Sequence, residues 1–508
     1  MLYSAGSLVD RYGRRCLAWC GLATQTLSGS VTIRSSTAGN SPLTVPLTLV
    51  VASFGTRSTS GSIVIPQVAE GQAGPENWKT TIVLVSGSTA TAAFTLRFWQ
   101  ADGAPVAMPV TGSGNVTGVS GSIAPGGFQI IETPGGTEPL VSGWAEVVSQ
   151  SRLNGYVVFR SRIGSVDSEG VVPIPSPGLR RLLLPFDNTA EFVTSAAIAN
   201  ADTDLPADVT VRFLGEDGQL IGGGNLRLGP RTRDAFGFPS RFPVTVGRRG
   251  IAEFNSGVDL FALGLRFNPN SSFTSLEPVD PGRDTRRLRR IVPQVVDGGP
   301  DAARWKTTAV VVNNDAVEAS LTMRFLRLDG SPLLLPIAGS GIVSEVRRTI
   351  AVGGSTVIET EGTSPALVDG WAEIVSDQSL SGTVVFRSRG PDKDSEGAVP
   401  IPSVGGRRLV LPFDNQQGFG TSAAMANPDN LPTMVTARFY DENGLLFSTS
   451  VLPVGLRSRE AFEFSRQFPE TTGRRGVVEF TSSNADVFVI GLRFNPRRSF
   501  TSLTPAEP

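Results

Sequence analysis

The chain has 508 residues, 40% hydrophobic and 18% charged, with a formal net charge of -1. That is enough chain for several domains, with no general pull toward nucleic acid or acidic membranes. Histidine is absent and the only cysteines are Cys16 and Cys20. This excludes Ser-His-Asp and Cys-His catalysis, histidine-ligated metals and, within one chain, four-cysteine zinc or iron–sulfur sites. With 57 glycines and 36 prolines the chain suits turns rather than long helices, and carboxylate chemistry or oxygen-ligated calcium is what remains.

In chain order, Arg14 and Arg15 precede a short apolar run, Cys16–Ala23, and Trp19 stands where a lipoprotein signal wants a small residue. Neither a signal peptide nor a lipid anchor is expected from it, and no apolar run approaches the ~20 residues of a membrane span. Residues 28–52 contain two β-rich runs, Ser30–Arg34 and Leu43–Val51, about a turn. They resemble the closing strands of BACON-type Ig-like domains. That resemblance implies that residues 1–53 are the remnant of an incomplete domain and that Met1 is an internal or mis-assigned start. Phe54–Ser62 reads as a linker.

A long repeat begins at Ile63. Trp78 and Trp305, Trp144 and Trp371, Asp187 and Asp414, and Phe267 and Phe494 are each 227 residues apart. Each copy divides again: Trp305 aligns with Phe419, and Met323 with Ala437, both 114 apart. The expected order is therefore A1 (63–178), B1 (179–280), A2 (290–405) and B2 (406–508), one ordinary domain each. Seven short strands are predicted in B2, with a tight turn at 441–444, matched by Asp-Gly turns at 217–218 and 329–330 in the sister domains, and one helical turn at Ser465–Thr472. The fold class expected is all-β, four tandem Ig-like β-sandwich domains after the N-terminal fragment. Short Pro/Gly links such as Ile401–Arg408 favour rigid A-B pairs, otherwise strung like beads.

Gly247–Pro278 and Gly473–Pro505 each read as a β-hairpin, echoed at 143–162 and 370–389. In that reading Glu146 and Arg160, Glu253 and Arg266, Glu373 and Arg387, and Glu479 and Arg493 face each other on the outer surface, each pair contributing ~0.2–1 kcal/mol. Asp167-Ser-Glu169-Gly170 and Asp394-Ser-Glu396-Gly397 occur in A domains only. They read as polar loops ahead of a strand, with Asp167, Glu169, Asp394 and Glu396 as candidate calcium ligands and glycosidase acid/base work as a remoter reading. Trp144 and Trp371 are the candidates for an aromatic binding surface, with A-B packing as the competing and leading role. Trp78 and Trp305 read as core plugs, since Phe192 and Phe419 replace them in the B domains. The basic run Arg283–Arg290 reads as a solvated linker rather than a nucleic-acid site.

The repeat, with its LPFDN start, DG turn and GLRFNPxxxFTSL end, resembles the tandem Ig-like β-sandwich repeats of large secreted or cell-surface bacterial proteins of Acidobacteria type. That resemblance, over residues 63–505, implies an extracellular setting and transfers no activity, cofactor or catalytic residue. The expectation is a non-enzymatic spacer or adhesive protein with a protein or glycan ligand, or alternatively a carbohydrate-binding array.

Overall fold

Strict alternation sets the strands. In Ala92–Trp99, Ala92, Phe94, Leu96 and Phe98 point into a core while their neighbours point out. The computed structural model describes residues 61–508 except 137, 175–177, 283–287, 392, 403–404 and 507–508; before residue 61 it describes the backbone of four strands. Among these, Gln25–Ile33 pairs antiparallel with Leu43–Val51, and Ser7–Val9 with Arg15–Leu17. Residues 1–60 form one unit and 61–508 another.

Residues 61–508 are four β-sandwiches in tandem, so the chain is all-β and multi-domain as expected. B2 has eight strands: Arg408–Asp414, Gly420–Asn427, Thr433–Tyr440, Leu446–Val454, Ser458–Glu463, Arg475–Ser482, Phe488–Phe494 and Phe500–Leu503. The first seven fall close to their predicted places. The eighth lies in the FTSL segment and was not anticipated. The expected helical turn is present as Phe464–Gln467 followed by Pro469–Thr471. One sheet orders the strands first-sixth-third-fourth and the other fifth-second-seventh-eighth. The same order holds in A2 when strands are numbered by their B2 equivalents, leaving out a small hairpin inserted between the third and fourth (Leu335–Ile337 with Gly341–Val343, and in A1 Met108–Val110 with Gly114–Val116). In A1 and B1 one long strand joins the two sheets. An Ig domain sets its first strand beside the second; here the first lies beside the sixth.

That order overturns the hairpin reading. The two runs of Gly473–Pro505 are the sixth and seventh strands, which lie in opposite sheets. In B1 they form one strand, Arg249–Phe267, that leaves one sheet at its middle and enters the other. The expected Glu–Arg pairs therefore do not form across a hairpin. Glu253 is clasped instead by Arg181 (2.6 Å) and Arg212 (3.1 Å), and Glu479 by Arg408 (2.6 Å) and Arg438 (3.4 Å). Period-two alternation is the same whether two runs pair or face each other across a core.

The sandwiches are not beads. The turn between the third and fourth strands of each one docks on the start of the fifth strand of the next. Ala101 O of A1 accepts from Arg233 N of B1 (2.9 Å), and Glu216 O of B1 from Ser355 N of A2 (3.0 Å). Leu328 O of A2 accepts from Arg459 N of B2 (3.0 Å). The fourth contact closes the circle, with Glu442 O of B2 accepting from Phe128 N of A1 (3.2 Å). Repetition of one head-to-tail contact through a rotation that closes gives a ring. The eighth strands, Val166–Ile174, Phe273–Leu276, Lys393–Pro400 and Phe500–Leu503, pack neighbour on neighbour around it. Gly170 and Gly397 permit this approach, because a Cβ at either would press on Ser275 N or Ser502 N at 2.8–2.9 Å.

Candidate functional site

The polar groups of the sandwiches collect at the joints between them. At the B1–A2 joint Arg266, on the crossing strand of B1, forms an ion pair with Glu396 of A2 and holds Asp187 of its own domain at 3.3 Å. Its guanidinium lies 3.8 Å from the centre of the Phe192 ring. Beside it, Arg387 clasps Asp394 through two bonds of 2.5 and 2.7 Å, and Asn270 of B1 donates to the same carboxylate at 2.7 Å.

The B2–A1 joint repeats the arrangement. Arg493 pairs with Glu169 and with Asp414 (3.2 Å), and stacks on Phe419 at 3.9 Å. Arg160 takes Asp167 at 2.6 and 2.7 Å. Arg497 reaches the Gly164 and Ser165 carbonyls at 3.0 and 3.2 Å. Glu169 and Glu396 are almost fully buried, with side chains 3% and 1% exposed. Burial pushes the Arg493 guanidinium down, but the charges of Glu169 and Asp414 outweigh it and hold its pKa above the ordinary arginine value. These are desolvated, multiply bonded pairs rather than the weak surface pairs expected.

The DSEG segments are therefore strand rather than loop, and their carboxylates are engaged. Each of the candidate calcium ligands Asp167, Glu169, Asp394 and Glu396 faces at least one arginine within 4 Å. Among the described residues no cluster of three or more acidic or cysteine side chains is arranged to hold a metal.

The A-to-B joints bury the tryptophans. Trp144 and Trp371 are both 0% exposed. Trp144 stacks on Trp99 at 6.0 Å and donates Nε1 to Gln100 O (3.1 Å), while Trp371 donates to Arg327 O (3.0 Å). Both lie in apolar clusters completed by the following B domain, Ala199 for one and Ala426 and Phe488 for the other. The binding-surface assignment is thereby corrected in favour of packing: a tryptophan in step with a glutamate along a strand faces outward only until a second domain covers that face. Trp78 packs against Phe273 of B1 (5.3 Å) and Trp305 against Phe500 of B2 (4.8 Å), so they too belong to joints.

A second feature of these joints was not foreseen. Arg233 and Arg459, buried at the two A-to-B joints, donate to Gln67 and Gln294 of the A domains. Burial pulls Arg233 down to about 10, with Asp234 only partly opposing. The sequence signal was the shared Pro-Gln pair of the first strand, which an outward polar residue hides. A cavity of about 450 Å³ opens where all four sandwiches meet, walled by strand ends such as Val64–Pro66, Val172–Ile174 and Val487–Ile490. The basic run Arg283–Arg290 lies largely outside the described residues.

No protein-family model matches the chain, and no curated protein matches it.

Proposed function

We propose that this is a non-enzymatic secreted or cell-surface protein whose four sandwiches act together as one stiff adhesive block rather than as an extended spacer. The observation that carries the reading is the pair of clamps, Arg266–Glu396 and Arg493–Glu169, which tie each B domain to the following A domain and the last to the first. The carboxylates considered for acid/base or glycosidase chemistry, Asp167, Glu169, Asp394 and Glu396, are ion-paired with arginine there. Trp144 and Trp371, the candidates for an aromatic binding surface, are fully buried, which favours packing over a carbohydrate-binding array. The extracellular placement rests on the resemblance of the repeat alone.

The test is adhesion without turnover. Beads coated with the full chain are expected to bind a host or microbial surface, and the chain to release no product from a panel of polysaccharides. Hydrolysis that disappears in Glu396→Gln would overturn the non-enzymatic reading.

A further inference from the structure

The two A-to-B joints are copies of one design, and they differ at one charge. In A2–B2 the buried Arg459 (2% exposed) donates Nη2 to Gln294 and Nη1 to the carboxylate of Asp369, 2.6 Å away. Asp369 is the last outward residue before the Gly370-Trp371 pair and remains partly exposed at 39%, so it reaches in from the rim to neutralise a cation set in the wall. In A1–B1 the equivalent arginine is Arg233, 8% exposed, and it keeps the same glutamine partner in Gln67. The residue before Gly143-Trp144 is Ser142, however, exposed and too short to replace an aspartate.

Among the described residues no carboxylate lies within ion-pair distance of Arg233; the Nε of Arg233 and that of Arg459 are both without a hydrogen-bond partner, so the two joints differ in the carboxylate alone. An arginine only 8% exposed, whose guanidinium has one neutral partner in Gln67, carries a largely desolvated charge that an anion would compensate. The missing partner has a known shape, since the sister joint supplies it.

We propose that the A1–B1 joint binds a small carboxylate from solution, held by Arg233 with Ser142 at its mouth, in the place that the Asp369 carboxylate fills in A2–B2. The second joint carries its anion covalently and the first takes it from outside. A carboxylate is favoured over bulkier anions because the sister site accommodates one carboxylate and nothing larger is shown to fit. The anion is either a free small acid or the acid group of a sugar, and both present the same oxygens.

The full chain is titrated with ¹³C-acetate at constant ionic strength and bound acetate is read by NMR line broadening. One saturable site is expected in the wild type. Ser142→Asp, which copies the sister joint, is expected to weaken binding at least tenfold. Asp369→Ser, which copies the open joint, is expected to raise the stoichiometry from one to two. The absence of saturable binding to the wild type, or a Ser142→Asp protein that binds as well as the wild type, would overturn the proposal. Should Asp369→Ser fail to fold, the wild type and Ser142→Asp decide alone. A parallel titration with glucuronate separates the sources: tighter binding than acetate assigns the site to a sugar acid, weaker binding to a free small anion.

Discussion

Replacing Glu169 by alanine should open the ring at one joint and leave its counterpart shut. Glu169 is 3% exposed and its partner Arg493 is 12% exposed, so the pair is desolvated on both sides. Removing one member of a buried pair costs about 3–5 kcal/mol. Asp414 remains at 3.2 Å and still answers part of the arginine's charge, which places the cost near the lower end, about 3 kcal/mol. At 1.4 kcal/mol per decade this is roughly a hundredfold rise in the population of the opened joint. The Phe128 amide reports on that opening directly, because its acceptor, Glu442 O, belongs to the other domain. Hydrogen exchange at Phe128 should therefore accelerate roughly a hundredfold in Glu169→Ala. The Ser355 amide, bonded to Glu216 O at the B1–A2 joint, should hardly change, and Glu396→Ala should reverse the pattern. Unchanged exchange at Phe128, or equal acceleration at Phe128 and Ser355, would refute the reasoning.

Trp371→Ala should lower unfolding stability by about 3–5 kcal/mol, the cost of emptying a fully buried tryptophan site, as measured by urea denaturation. Gly218→Ala should destabilise by more than about 1 kcal/mol, since φ there is 75° and a methyl group would overlap the Val352 carbonyl of the next domain. Burial holds the Tyr156 phenol well above its ordinary value, with Arg493 only partly opposing. The folded protein therefore keeps that proton after the unfolded chain, near pH 10, has released it, so stability is full below pH 10 and falls above it. Melting temperatures of Tyr156→Phe and wild type between pH 9 and 11 should show the shallower decline in the variant.

The domain plan was legible because each sandwich repeats its core residues, and 227- and 114-residue periods survive in Trp, Phe and Asp spacings. What alternation conceals is which sheet a strand joins. Gly473–Pro505 looks like a hairpin because its sixth and seventh strands both alternate, though a whole sandwich core lies between them. The joints were hidden for a different reason. Glu169 and Arg493 stand 324 positions apart and each reads locally as an outward, solvated charge. The one visible signal was asymmetric: A domains carry Asp-Ser-Glu-Gly where B domains carry Phe-Thr-Ser-Leu, so the acid occurs only where a B-domain arginine arrives. Trp144 left two roles open for the same reason, and the leading one, A-B packing, is what the structure shows, because a residue that is outward in its sandwich becomes interior once B1 packs on it.

Closure of the ring between the first and last sandwiches is tested most directly by cross-linking. Gln129 and Asn443, both exposed, flank the Phe128–Glu442 bond, which sets their Cα atoms within roughly 10 Å of each other. With Cys16 and Cys20 changed to serine and cysteines placed at 129 and 443, a short bismaleimide should give an intramolecular 129–443 cross-link at high yield and low protein concentration. Domains strung in line would hold these positions two sandwiches apart, and the absence of that cross-link would contradict the closed ring.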